Sequence, residues 1–148
     1  SKEEYEARAH IVESAYIYKG CAIALSEELD AGMNVVLPMA ANDLLTINGV
    51  DASFVAVAKN GGVNISARSM GALNVQVILE PLGGGGHLMM AGAQLHDCAL
   101  QDAETRIREQ IDIYRAPRLP SRTRHGKIET YGGNLYEDHS ETGCQDHR

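Results

Sequence analysis

Four consecutive glycines, Gly83 to Gly86, run directly into His87 in the segment LGGGGHLMMAG. Glycine gives up more backbone entropy on folding than any other residue. A run of four is therefore tolerated only where the chain turns sharply, crosses another strand closely or lets something approach its amides. Consecutive amides without Cβ atoms can curl into a concave nest for an anionic oxygen, and an adjacent imidazole can add a hydrogen bond. The same run also suits a helix C-cap followed by a close strand crossing, with His87 satisfying a backbone carbonyl. The neighbouring residues weigh between the two.

The segment ISARSMG alternates its side chains, so a strand here puts Ser66, Arg68 and Met70 on one face and Ile65, Ala67 and Ser69 on the other. A hydroxyl and a guanidinium on one face at the end of a strand make a bidentate anion clamp. Arg68 is the only arginine between Arg8 and Arg106. The competing role for it is an ion pair with Glu80 or Asp51.

The rest of the chain supplies the frame. Residues 2 to 18 carry Tyr5, Ala9, Val12 and Tyr16 at helical spacing, and Gly20 breaks the pattern. Cys21 to Ser26 is a short apolar run of strand length. Asn34 to Ile47 again has helical spacing, tolerates Pro38 near its first turn and stops at Asn48-Gly49. ASFVAVAKN and GGVNISARS read as a hairpin turning at Gly61-Gly62. Asn74 caps a short helix that runs into the glycines. AGAQLHD is a strand, and Leu100 to Arg115 is a helix with Ile107, Ile111 and Tyr114 on one face. The fold class is α/β, a mixed β-sheet flanked by helices.

At 148 residues the chain is expected to form one domain over residues 1–115, with 116–148 as an extension or foreign tail without a core of its own. The formal charge of -7 falls wholly in the first 115 residues, where 15 acidic side chains face 8 basic ones. That surface repels a phosphate polymer, so broad nucleic-acid binding is not expected, while a small phosphorylated ligand held by local donors is allowed. Three cysteines, Cys21, Cys98 and Cys144, show no C-x-x-C spacing, which argues against a zinc site and for a reducing compartment. Cys21 and Cys98 read as small core residues. His10, His96 and His125 are scattered and read as solvated or capping side chains.

The stretch ISARSMGALNVQVILEPLGGGGHLMMAGAQL, together with YEARAHIVESAYIYKG and AANDLLTINGVDASFVAVAKNGG, resembles the DHHA1 domain of the DHH phosphoesterase superfamily. Within it, the chain is most similar to the C-terminal domain of the GdpP/YybT-type bacterial cyclic di-AMP phosphodiesterases. The likeness spans roughly residues 3 to 113. One departure stands out: the motif's usual Ala-Ala-Gly is here Met90-Ala91-Gly92, which is expected to reshape the turn beneath the glycines.

The resemblance implies a division of labour. A preceding DHH domain, to which residues 1–19 would be the linker helix, holds two manganese ions that activate water. The DHHA1 domain binds the nucleotide, with Gly84, Gly85, Gly86 and His87 lining phosphate and sugar and Ser66 and Arg68 holding another part. The implied parent is a metal-dependent phosphodiesterase of bacterial signalling, anchored in the cell membrane, that hydrolyses cyclic di-AMP to a linear dinucleotide with this domain in the cytoplasm. Its implied partners are a cyclic or linear adenine dinucleotide and the DHH domain; a homo-oligomer is left open. Two other functions known for such domains are a short-oligonucleotide phosphatase or exonuclease and a non-catalytic nucleic-acid-binding module, as in alanyl-tRNA synthetases. No Asp-His-His triplet occurs in the chain, so no catalytic residue and no metal ligand is assigned in it, and the chain alone is expected to be inactive. Deleting residues 116–148 is expected to leave the melting temperature within about 4 to 8 °C, the shift of roughly 1 kcal/mol in a domain of this size; a larger fall in a thermal melt contradicts the boundary.

Overall fold

The computed structural model describes residues 1–117 and the backbone of 120–122 and 128–130. Helix α1 (Lys2–Glu13) starts on a capping box in which the Ser1 hydroxyl accepts the Glu4 amide and the Glu4 carboxylate accepts from the Ser1 amino group. The helix is shorter than its periodicity suggests. Tyr16–Tyr18 forms strand β1, and Lys19 and Gly20, both at positive φ, turn the chain into β2 (Cys21–Ser26). Two left-handed residues are what a tight hairpin needs, and the aromatic and β-branched Tyr-Ile-Tyr triplet favours a strand over a helix end.

A 3₁₀ turn, Met33–Val35, leads into α2 (Val36–Leu44), with Pro38 in the first turn where no intrahelical amide bond is lost. Strand β3 (Ala52–Lys59) then runs parallel to β2, making a βαβ unit, and β4 (Gly62–Ser69) returns antiparallel. The hairpin turns at Asn60-Gly61, both at positive φ, one residue earlier than the glycine pair suggested. Gly62 lies inside β4, where a Cβ would stand 2.2 Å from the Leu95 carbonyl oxygen.

Helix α3 (Val75–Leu79) is capped by the Asn74 side chain, which accepts from the Gln76 and Val77 amides. A 3₁₀ turn follows, closed by Gly83 at φ 82°. The next glycines, expected to form only a loop, enter strand β5 (Gly85–His87), which hairpins with β6 (Met90–Leu95); α4 (Leu100–Arg115) completes the domain. The six-stranded mixed sheet has the order β1-β2-β3-β4-β6-β5. Two further short strands, β7 (Pro120–Arg122) and β8 (Ile128–Thr130), pair only with each other.

The two faces of the sheet are covered unequally. On one face Phe54, Ile65, Leu79, Leu95, Ile107 and Ile111 join a core that spans β2, β3, β4 and β6 under α3 and α4. On the other face Ile11, Val36, Leu37, Leu44, Val55 and Val57 form a core under α1 and α2 that takes side chains from β2 and β3 and none from β4 or β6. Burial alternates along β6 as a consequence: Ala91, Ala93 and Leu95 are buried, Met90, Gly92 and Gln94 exposed.

Polar clamps fix the flanks. Arg8 grips Asp43 with both Nε and Nη2, the latter at 2.7 Å, joining α1 to α2. The Tyr16 hydroxyl donates to Glu104, the Tyr18 hydroxyl donates to Asp112 at 2.6 Å, and the Arg108 guanidinium lies 4.3 Å from the Tyr18 ring centre, so β1 is held to α4. Desolvation and the Glu104 carboxylate push the Tyr16 hydroxyl up to about 12. Cys21 is a buried free thiol whose titration burial pushes up. Cys98 is buried in the core under α3 and α4, in line with its reading as a small core residue. Cys144 and His125 lie outside the described residues. Among the described residues no helix is long and apolar enough to cross a membrane.

Candidate functional site

Strand register brings the sequence's candidate residues onto the uncovered half of the sheet. Ser66 pairs with Gly92 and Gly92 with Gly85; Arg68 pairs with Met90 and Met90 with His87. Residues directly opposite in an antiparallel pair share a face, so two rungs, Ser66-Gly92-Gly85 and Arg68-Met90-His87, lie side by side on the open face. A third rung, Asn64-Gln94, continues the same face beyond Ser66.

The first of these rungs is nearly bare. Ser66 contributes a hydroxyl and the two glycines contribute backbone, so they floor an open groove of about 700 Å³. Its opposite wall is Asn34, Leu37 and Pro38, at the start of α2. Ser66, Gly84 and Gly85 line the groove, whereas Arg68, Gly86 and His87 are not among its lining residues. Arg68 and His87 occupy the adjacent rung, facing each other across two strand spacings, about 10 Å. Met90 stands between them with 48% of its surface exposed; it neither packs beneath the glycines nor fills a core position.

Among the described residues Arg68 has no carboxylate partner. Of the two acids named as competing partners for it, Asp51 is bound by Arg115 at 2.8 Å and Glu80 accepts from the Gln76 amide side chain. Its Nη1 donates to the Ala67 carbonyl at 2.8 Å and reaches the Ser66 hydroxyl at 3.4 Å, while Nε is buried with no hydrogen-bond partner. Partial burial without a counter-charge pulls this guanidinium below its ordinary pKa. It remains a cation, and an unpaired buried N–H of this kind costs roughly 1 to 3 kcal/mol unless something supplies an acceptor.

His87 is exposed on β5, and its Nδ1 accepts the Met89 amide at 3.3 Å rather than donating to a backbone carbonyl. In the neutral ring, an accepting Nδ1 leaves the proton on Nε2, which makes the outer edge of the ring a donor.

The glycines divide by role. The Gly83 and Gly84 amides are taken by the Glu80 and Leu79 carbonyls, both at 2.9 Å, so the helix-cap reading accounts for this half of the run. A Cβ at Gly84 would meet the Gly92 carbonyl oxygen at 2.5 Å, and one at Gly86, where φ is +147°, would meet the Met90 oxygen at 2.2 Å. Close strand crossing therefore dictates both. At Gly85 a Cβ would meet nothing within 4 Å. Gly85 and Gly86 belong to an edge strand, which leaves every second amide without a sheet partner.

Among the described residues no three His, Cys, Asp or Glu side chains converge as a metal site, so the manganese implied by the resemblance finds no fitting ligands here, and no chemical step is assigned to it in this chain.

Residues 19–114 match the family model described as the DHHA1 domain. The chain belongs to the DHHA1 domain family. It is 47% identical over 116 residues to the cyclic-di-AMP phosphodiesterase GdpP of Geobacillus thermodenitrificans, a match covering 77% of this chain and 18% of that protein. The chain thus corresponds to about a fifth of that relative's length. Among solved structures, an exopolyphosphatase-related protein from Bacteroides fragilis superposes with a TM-score of 0.69 at 19% identity, over 77% of this chain and 35% of that one. The exonuclease RecJ bound to manganese does so with a TM-score of 0.59 at 19% identity, over 78% and 29%. These structures share the DHHA1 fold. The Geobacillus relative is by its name a phosphodiesterase, and phosphodiesterases of Listeria monocytogenes and Bacillus subtilis match at 44% and 40% identity.

The division among the glycines has a measurable consequence. Gly84→Ala and Gly86→Ala are expected to lower stability by about 2 kcal/mol or more, from overpacking and, at Gly86, a backbone conformation that L residues avoid. Gly85→Ala is expected to change stability by less than about 1 kcal/mol. Thermal melts of the three variants check this; equal losses at Gly85 and Gly84 would contradict it.

Proposed function

We propose that this DHHA1 domain is the nucleotide-holding part of a phosphodiesterase and grips the phosphate of a cyclic or linear adenine dinucleotide on the open half of its sheet. The observation that carries the reading is Arg68: a partly desolvated cation with no carboxylate, one N–H unpaired, on the same rung as a histidine whose outer nitrogen is a donor. A phosphate oxygen supplies the acceptor that Arg68 lacks, and charge-assisted bonds to an anion are about twice as strong as neutral ones. Ser66 and the one amide of the Gly85-Gly86 edge that β6 leaves unpaired add neutral donors beside it.

The identity of the dinucleotide is supported by the name of the Geobacillus relative, a cyclic-di-AMP phosphodiesterase. On this reading the domain has no hydrolytic step of its own. It orients the phosphate toward a DHH domain in the parent protein, where manganese would activate the water, and the parent would be held at the membrane with this domain in the cytoplasm. Binding by local donors on an acidic domain also favours a small ligand over a long nucleic acid.

Calorimetric titration of the linear adenine dinucleotide tests the reading. Arg68→Ala and His87→Ala are each expected to weaken binding, Arg68→Ala by roughly 1.5 to 3 kcal/mol, the worth of a hydrogen bond to a charged group. Arg68→Ala should leave the melting temperature unchanged or raised, because it removes an unsatisfied buried N–H. Full affinity in both variants, or no binding by the unaltered chain at millimolar nucleotide, would sink the proposal.

A further inference from the structure

Asn64 and Gln94 sit opposite each other in the half of the groove away from Arg68, with Lys59 and His96 lining it beyond them, and the function proposed above leaves them unused. Both side chains share the open face with Ser66 and Arg68, since they lie two and four residues along the same strand or directly across from it. Neither carboxamide is hydrogen-bonded to another described residue, although Asn64 is only half exposed. Side chains with this much hydrogen-bonding capacity, standing free in a groove, are equipped to read a polar edge.

The spacing along the strand selects what that edge belongs to. At about 3.4 Å per residue, Asn64 lies about 14 Å from Arg68 along β4, with the bare Ser66-Gly92-Gly85 rung midway at about 7 Å. That order of charge, bare floor and carboxamide pair follows the order of phosphate, sugar with ring, and base edge in an extended mononucleotide. The floor permits a planar ring to lie at backbone contact, because Gly85 and Gly92 present no side chain there. Leu37 and Pro38 give the opposite wall an apolar surface for the other side of the ring. At Gly92 a Cβ would press on the Ile65 oxygen at 3.3 Å, a far milder crowding than the 2.5 Å and 2.2 Å met at Gly84 and Gly86.

We infer that Asn64 and Gln94 are the base-reading end of this site and select adenine by its exocyclic amine and adjacent ring nitrogen. An amide side chain matches that pair with its carbonyl accepting from N6 and its NH₂ donating to N7. Hypoxanthine, which carries an oxygen in place of the amine, leaves the amide carbonyl facing another acceptor. The inference rests on the reading that Arg68 and His87 hold the phosphate.

The test compares three probes on the complete chain: the linear adenine dinucleotide, its hypoxanthine counterpart and ribose 5-phosphate. The unaltered chain is expected to bind the adenine dinucleotide at least ten times more tightly than the hypoxanthine one. Asn64→Ala and Gln94→Ala should each weaken adenine dinucleotide binding several-fold, and together should erase the preference between the bases. Ribose 5-phosphate binding should not change in these variants, and it should fall in Arg68→Ala. Thermal melts of the carboxamide variants should match the parent, since both side chains stand at the surface. If Arg68→Ala loses ribose 5-phosphate while the carboxamide variants keep the full base preference, the phosphate site stands and the base-reading inference is overturned. If Arg68→Ala binds all three probes as the unaltered chain does, the phosphate site itself fails, and the inference with it.

Discussion

The close approach of the glycine run to β6 is the contact on which the site depends. With the Gly84 and Gly86 α-carbons pressed against the carbonyls of Gly92 and Met90, β5 docks as the last strand of the sheet, and no side chain of ordinary size could stand at either position. This docking places His87 on the rung of Arg68 and leaves Gly85 beside Gly92 as bare backbone. The glycines therefore serve the ligand mainly through the sheet they build. Only Gly85 is free of a packing reason, and it is the residue that floors the groove.

Unequal helix cover turns that sheet edge into a site. Helices α3 and α4 bury one face from β2 to β6, whereas on the other the apolar core under α1 and α2 takes side chains only from β2 and β3 and leaves a groove between the start of α2 and β4. The half outside that core must then be polar or bare, and it is: the partly exposed Asn64 and Arg68 and the buried Ser66 on β4, Gln94 and Gly92 on β6, Gly85 and His87 on β5. Arg68 is the energetic anomaly of this surface. A nearby acid would have stabilised it, yet Asp51 is committed to Arg115 at the end of α4 and Glu80 to Gln76 within its own helix. Keeping a cation partly desolvated and unpaired trades stability for affinity toward an anion.

Much of this was legible in the residues. The alternation of ISARS placed Ser66 and Arg68 on one face, Asn74 announced the cap of α3, and the periodicity of 100–115 gave α4 to the residue. Two strands of the six-stranded sheet escaped because their signals were weak or overridden. Tyr16 continued the helical spacing of Tyr5, Ala9 and Val12, which masked the strand signature of Tyr-Ile-Tyr before the Lys19-Gly20 turn. Strand β5 is glycine at two of its three positions, so it has no alternation to read. The half-open face was beyond the sequence altogether, since which strands α2 covers is decided by tertiary packing. Asn64 and Gln94 could have been noticed as polar residues at inward-and-outward alternating positions, but nothing in the sequence says that they meet across β4 and β6.

Amide chemical-shift mapping of the complete chain during titration with the linear adenine dinucleotide tests the central claim most directly. The nucleotide is expected to perturb the open-face residues of 64–68, 85–87 and 90–94 together with the start of α2, leaving the helix at 100–115 unchanged. Perturbations centred on the α3 and α4 side of the sheet or on the β1 edge, or none at saturating nucleotide, would contradict it.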